Sequence, residues 1–140
     1  MVGDQKGEGK PREIVLDSPT YYYAPTWSPD GKRLLFHDVR LNLLVVEVET
    51  GKVTRVDADT YTHPERSLSA AWAPDSKWIA YAKRLDTQLR AIRIWSVEDG
   101  RSRQVTDGLA DATAPAFSAD GKYLWFLSGN GRQRIQWLPN

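Results

Sequence analysis

The sequence predicts an all-β fold, a β-propeller segment of about three four-stranded blades, on two observations. The first is a phrase repeated at a fixed interval. Trp27-Ser28-Pro29-Asp30-Gly31-Lys32, Trp72-Ala73-Pro74-Asp75-Ser76-Lys77 and Phe117-Ser118-Ala119-Asp120-Gly121-Lys122 start 45 residues apart. The second is an apolar run after each copy: Leu34-Leu35-Phe36, Ile79-Ala80-Tyr81 and Leu124-Trp125-Phe126. A period of about 40–50 residues holding several short strands is what a propeller blade leaves in a sequence.

Each period divides into strand candidates separated by turn signals. The first holds 24–28, 33–39, 42–49 and 53–57; the second holds 68–73, 78–83, 91–97 and 102–106; the third holds 113–118, 123–127 and 134–138. A lone fourth-strand candidate, 12–16, precedes them. The organisation expected is a flexible segment over 1–11 followed by blades over 12–140. The Pro-Asp-Gly-Lys turns place proline at the first central position, with glycine able to take positive φ. Glu49-Thr50-Gly51-Lys52 and Glu98-Asp99-Gly100-Arg101 fall between third and fourth strands, where a glycine hairpin turn is expected. Ser76 stands where the other two copies have glycine. A left-handed serine costs about 1 kcal/mol, so Ser76→Gly is expected to leave the melting temperature unchanged or raise it. The aromatic ending each first strand (Trp27, Trp72, Phe117) is expected to pack between neighbouring blades.

These strands make three blades, whereas closed propellers hold about four to eight. An open arc exposes interblade faces and strand edges. Two solutions are expected: a segment of a longer propeller, or two copies closing a six-bladed ring. In the second, each 12–16 strand would complete the partner's last blade by a twofold exchange.

Composition narrows the function classes. Net charge is +1 and the basic residues are dispersed, so the basic stripe that nucleic acid requires is missing. No apolar stretch approaches the roughly 20 residues of a membrane helix. The opening Met1-Val2-Gly3-Asp4-Gln5-Lys6-Gly7-Glu8-Gly9-Lys10 lacks the apolar core of a secretory signal. The localisation expected is cytoplasmic, or periplasmic if the chain is part of a secreted parent. There is no cysteine, hence no disulfide, thiolate zinc site or cysteine nucleophile.

Hydrolytic chemistry needs a nucleophile within reach of an oriented base. There is no Gly-x-Ser-x-Gly elbow, and the two histidines are His37, expected to be structural within a strand, and His63, in a long connection. His63 beside Glu65 lacks the His-Glu-x-x-His spacing of a zinc site, and Asp57-Ala58-Asp59 lacks the further ligands of a calcium loop. No catalytic residue, metal or cofactor is expected. Binding is expected at the connections entering first strands, which rim the axial opening of a propeller. The candidates are Tyr21, Tyr22 and Tyr23, then Tyr61, His63, Glu65 and Arg66, together with the 111–113 connection. Three consecutive tyrosines cannot all face a core, and tyrosine contacts peptides through both ring and hydroxyl. Arg84 and Arg90, flanking the connection 85–89, are candidates for anchoring a partner or neighbouring module.

The repeated Ser-Pro-Asp-Gly phrase resembles TolB-like, WD-like and tricorn-type propellers. A more specific run extends from Asp38 to Ala91. Asp38-Val39-Arg40-Leu41-Asn42-Leu43, Val48-Glu49-Thr50-Gly51-Lys52-Val53, Pro64-Glu65-Arg66-Ser67-Leu68, the Trp72–Tyr81 stretch, Lys83-Arg84-Leu85 and Leu89-Arg90-Ala91 are similar to tricorn protease homologues. Leu44-Val45 stands where those homologues often carry aromatics. The resemblance implies part of the second propeller of a large serine peptidase. In such enzymes two propellers precede PDZ-like and catalytic domains and conduct peptides, and the catalytic Ser and His lie downstream. The expected function is therefore a non-catalytic segment that guides or gates peptides and docks the catalytic domain. The alternative is a free-standing TolB-type module that binds a protein. Expected partners are a peptide or protein, and either the remaining domains of a longer chain or a second copy.

Overall fold

The computed structural model describes residues 22–38, 42–58, 70–87, 89–128 and 131–136. They contain strands and turns, with no helix among the described residues. The first sheet runs in the order β1 (Tyr22–Trp27), β2 (Arg33–Asp38), β3 (Asn42–Glu47) and β4 (Val53–Ala58). The second repeats it with β5 (Ala71–Trp72), β6 (Trp78–Arg84), β7 (Arg90–Ser96) and β8 (Ser102–Gln104). The third has β9 (Ala112–Phe117), β10 (Tyr123–Ser128) and β11 (Gly131–Gln136). Every pairing is antiparallel between consecutive strands. The first sheet lies in one compact unit, and the second and third share another.

The repeated phrase is a turn with a defined hydrogen-bond pattern. In the first copy the Gly31 amide donates to the Ser28 carbonyl at 2.9 Å, closing a β-turn with Pro29 and Asp30 at its centre. The Ser28 hydroxyl donates to Asp30 Oδ1 (2.6 Å) and accepts from the Arg33 amide (3.0 Å), while Lys32 donates its amide to the same Asp30 oxygen. The third copy reproduces each bond through Ser118, Asp120, Lys122 and Tyr123. Burial raises the pKa of Asp30, but the Ser28 hydroxyl, the Lys32 amide and the nearby Arg33 and Lys32 charges outweigh it and hold the group below its ordinary value. The second copy has Ala73 in place of the serine and keeps the amide bonds alone, Ser76 to the Ala73 carbonyl and Lys77 to Asp75 Oδ1. Ser76 sits at φ 63°, matching Gly31 at 73° and Gly121 at 75°, so the left-handed geometry expected there is present. The hairpin glycines Gly51 and Gly100 are left-handed too, at 77° and 69°.

Strand ends shift from expectation for identifiable reasons. β8 stops at Gln104 because the Val105 and Thr106 amides both donate to the Ile92 carbonyl, so two residues oppose one. β11 begins at Gly131, three residues earlier than expected, because Ser128 pairs with Gly131 and the hairpin is tight. β1 and β9 each carry a bulge at an Ala-Pro pair: Ala24 and Pro25 fall within the register shift between Tyr23 and Thr26, and Ala114 and Pro115 within that opposite Trp125 and Leu127. Proline cannot donate to a ladder, and a bulge accommodates it; Ala114 takes φ 52° there. The candidates 12–16, 68–69 and 137–138 lie outside the described residues.

The core of the second unit is the seam between its two sheets. Ala80 and Ala82 of β6 and Ile92 and Ile94 of β7 pack with Ala112 and Leu124, flanked by Trp78, Val105, Phe117, Phe126 and Ile135. The period-2 alternation of β10 directs Leu124 and Phe126 into this seam. Phe117, ending a first strand, packs against it as the sequence predicts.

Candidate functional site

The β6–β7 hairpin ends on a pair of arginines, since Arg84 and Arg90 are the last residues in register between the two strands. Like charges directly opposite each other repel. The structure resolves this with Asp111, which stands just before β9 and thus at the entry to a first strand. Asp111 Oδ1 accepts from the Arg90 amide (2.7 Å) and from Arg90 Nε (3.2 Å), and Oδ2 accepts from Arg90 Nη2 (2.9 Å). This fork-on-fork pairing joins the second sheet to the connection that starts the third. Arg90 therefore has a structural partner, and its guanidinium is committed to that contact. Arg84 lies close enough to act on Asp111 through its charge.

The Arg90 side chain, by donating to Asp111, holds that carboxyl below its ordinary value of 3.8; burial opposes this, and the Arg90 amide and the two guanidinium charges add to the lowering. A depressed carboxylate pKa adds stability that is fully present above the ordinary value and is lost as pH falls through the folded one. Both partners are partly exposed, so the contribution is discounted to about 1 kcal/mol. Asp111→Asn is expected to cost that amount at neutral pH and to flatten the loss of stability below about pH 4. Urea titrations of both proteins across that range check it.

Of the remaining candidates, Tyr22 and Tyr23 lie in β1, paired with Asp38 and His37. Tyr21, Tyr61, His63, Glu65 and Arg66 lie outside the described residues. His37 is buried within β2, and buried Asp38 accepts from the amide and from Nδ2 of Asn42, both at 2.9 Å, which ties the ends of β2 and β3 together. Among the described residues no three His, Asp or Glu side chains cluster as metal ligands would.

A second charged cluster, unmarked by sequence reasoning, lies on the third sheet. Arg134 stacks 4.6 Å from the centroid of the Tyr123 ring and 5.5 Å from that of Trp125, and Arg132 lies 5.7 Å from Trp125. The signal was available: arginines two apart on one strand meet aromatics two apart on its neighbour once Gly129-Asn130 is read as a two-residue hairpin turn.

Consecutive antiparallel sheets of up to four strands, repeated every 45 residues and packed face to face in the second unit, define a β-propeller segment. Its sequence is related to tricorn protease homologues. The chain is 31% identical over 101 residues to the tricorn protease homolog of Saccharolobus solfataricus, and 33% identical over 103 residues to tricorn protease homolog 1 of Streptomyces coelicolor. Each match covers 72% of this chain and 9% of the relative. The crystal structure of the tricorn protease superposes with a TM-score of 0.71 at 25% identity, over 89% of this chain and 12% of that one. TolB from Acinetobacter baumannii shares the fold, with a TM-score of 0.64 at 19% identity over 93% of this chain and 32% of that one. No family model matches. The chain thus spans about a tenth of the length of these tricorn protease homologues.

Proposed function

We propose that this chain is a non-catalytic propeller segment of a tricorn-like serine peptidase, guiding peptides past the entries to its first strands and docking the catalytic domain. The observation that carries the reading is joint similarity in sequence and fold to tricorn proteins over most of this chain. Peptide guidance fits a surface whose first-strand entries are placed by rigid sheets, with the Arg90–Asp111 pair bracing one of them. The candidates for peptide contact are Tyr21, Tyr22 and Tyr23, the stretch with Tyr61, His63, Glu65 and Arg66, and Arg84. The remaining domains of a peptidase would be its partners.

The test is binding without cleavage. Unfolded casein fragments carrying a benzophenone group are titrated against the chain and followed by fluorescence anisotropy, then crosslinked and mapped. Saturable binding, intact peptides and crosslinks at 21–23, 61–66 or 84–90 are expected. No saturable binding, or crosslinks confined to the β4 and β8 edges, would sink the reading.

A further inference from the structure

The hairpin that joins β6 to β7 brings together two guanidiniums and one carboxylate. Arg84 and Arg90 face each other in register. Asp111 engages Arg90 with both oxygens, Oδ1 accepting from the amide and Nε and Oδ2 from Nη2. Arg84 acts on Asp111 through its charge alone. Among the described residues no hydrogen bond or ion pair reaches the Arg84 guanidinium, and its Nε is shut from solvent without an acceptor. A buried donor without an acceptor is costly, and like charges across a ladder repel. Asp111 neutralises one arginine, and the other is left for a second carboxylate.

This place lies between two sheets that the chain itself supplies. The 85–89 connection belongs to the second sheet, the 105–111 connection leads to the third, and the two touch. A Cβ added to buried Gly108 would lie 2.7 Å from Leu85 Cδ1, so the backbone of one connection packs on the side chain of the other. Asp107 Oδ1 accepts from the Leu109 amide (2.9 Å), and Gln104 Nε2 donates to the Thr106 carbonyl (2.8 Å). These contacts fix the loop on which Leu109 stands, 83% exposed and two residues before Asp111. One exposed leucine is ordinary by itself. On a fixed loop whose next connection begins beside an unpaired guanidinium, it supplies the apolar half of a two-part site.

We infer that Arg84 binds a carboxylate of the guided peptide, from an acidic side chain or the free C-terminus, while Leu109 takes an apolar side chain beside it. With Nε turned inward, the Nη1–Nη2 edge is the fork that meets the carboxylate. A polyanion such as nucleic acid fits poorly, because exposed Asp86 and Asp107 stand on the same two connections. The inference rests on the peptide-guidance reading and names what the entry to β9 selects: peptides with a carboxylate next to an apolar residue.

The probe is a dansylated peptide of alanine and glutamine carrying one leucine. It is made with a free C-terminus, as a C-terminal amide, and as an amide with one glutamate beside the leucine. In anisotropy titrations against the whole chain, a carboxylate form is expected to bind about tenfold more tightly than the neutral amide. A gain with the free end alone assigns the C-terminus, and a gain with glutamate alone assigns an acidic side chain. Arg84→Gln is expected to erase the gain, and Arg84→Lys, which keeps the charge without the fork, to retain part of it. Leu109→Ala is expected to weaken peptides with leucine more than peptides with alanine in its place. If Arg84→Gln unfolds, loss of the gain in about 1 M salt takes its place as the readout. Equal affinity for the three forms, or a gain that survives Arg84→Gln or high salt, would overturn the inference. Casein binding at the first-strand entries would stand after that result, whereas failure of every peptide and of casein to bind would sink both readings.

Discussion

Leu124→Ala is expected to destabilise the second unit by about 2–5 kcal/mol, the range for truncating a leucine in a packed core. Leu124 is fully buried and reaches from β10 to Ala80, Ala82, Ile92 and Ile94 of the neighbouring sheet. The cavity opens at the seam, between two sheets whose backbones are held by their own ladders and can collapse little. For a unit of this size such a loss lowers the melting temperature by more than about 10 °C. Leu127→Ala, on the same strand but the opposite face and 48% exposed, is expected to stay within about 0.5 kcal/mol. Thermal melts of both by circular dichroism test the pair. Equal losses would mean that the alternation of β10 does not define the core.

Gly108→Ala is expected to cost about 2 kcal/mol, at a position remote in sequence from the repeated phrase. Gly108 is buried, at φ 76°, in the connection leading to β9. An added Cβ would lie 2.7 Å from Leu85 Cδ1 of the β6–β7 connection. Leu85 must swing its side-chain end away, which adds about as much again as the left-handed backbone costs. Gly121, with a similar φ but nothing within 4 Å of an added Cβ, serves as the control. Gly121→Ala pays the conformational cost alone, about 1 kcal/mol. Chemical denaturation of the two variants measures the difference. A smaller loss at Gly108 than at Gly121 would show that the Leu85 contact is not tight.

Much of the architecture is legible because it is local. The Ser-Pro-Asp-Gly turn closes with its own hydroxyl, carboxylate and amides, all within five residues. The left-handed Ser76 follows from its alignment with two glycines. The Ala-Pro bulges, two periods apart, were also present as a signal, since proline inside a strand candidate marks a break in the ladder. The start of β11 was read three residues late, and this placed Arg132 in a turn and hid the stack on Trp125. Of the candidate site, the pairing of Arg84 with Arg90 across a hairpin was within reach of sequence. The carboxylate that neutralises Arg90 lies 21 residues away, after a whole strand, with no spacing rule that leads to it.

The sequence by itself determined the period, the turns, the strand alternation and the relationship to tricorn-type propellers, because each depends on residues close together in the chain. The tertiary structure decided which faces of the second and third sheets pack on each other. It joined Arg90 to Asp111, and it left Tyr123, Trp125 and Leu127 partly open beside two arginines. Those outcomes depend on how one sheet lies against the next, and a pattern within one strand, identical for a face that is covered and a face that is open, carries no record of it.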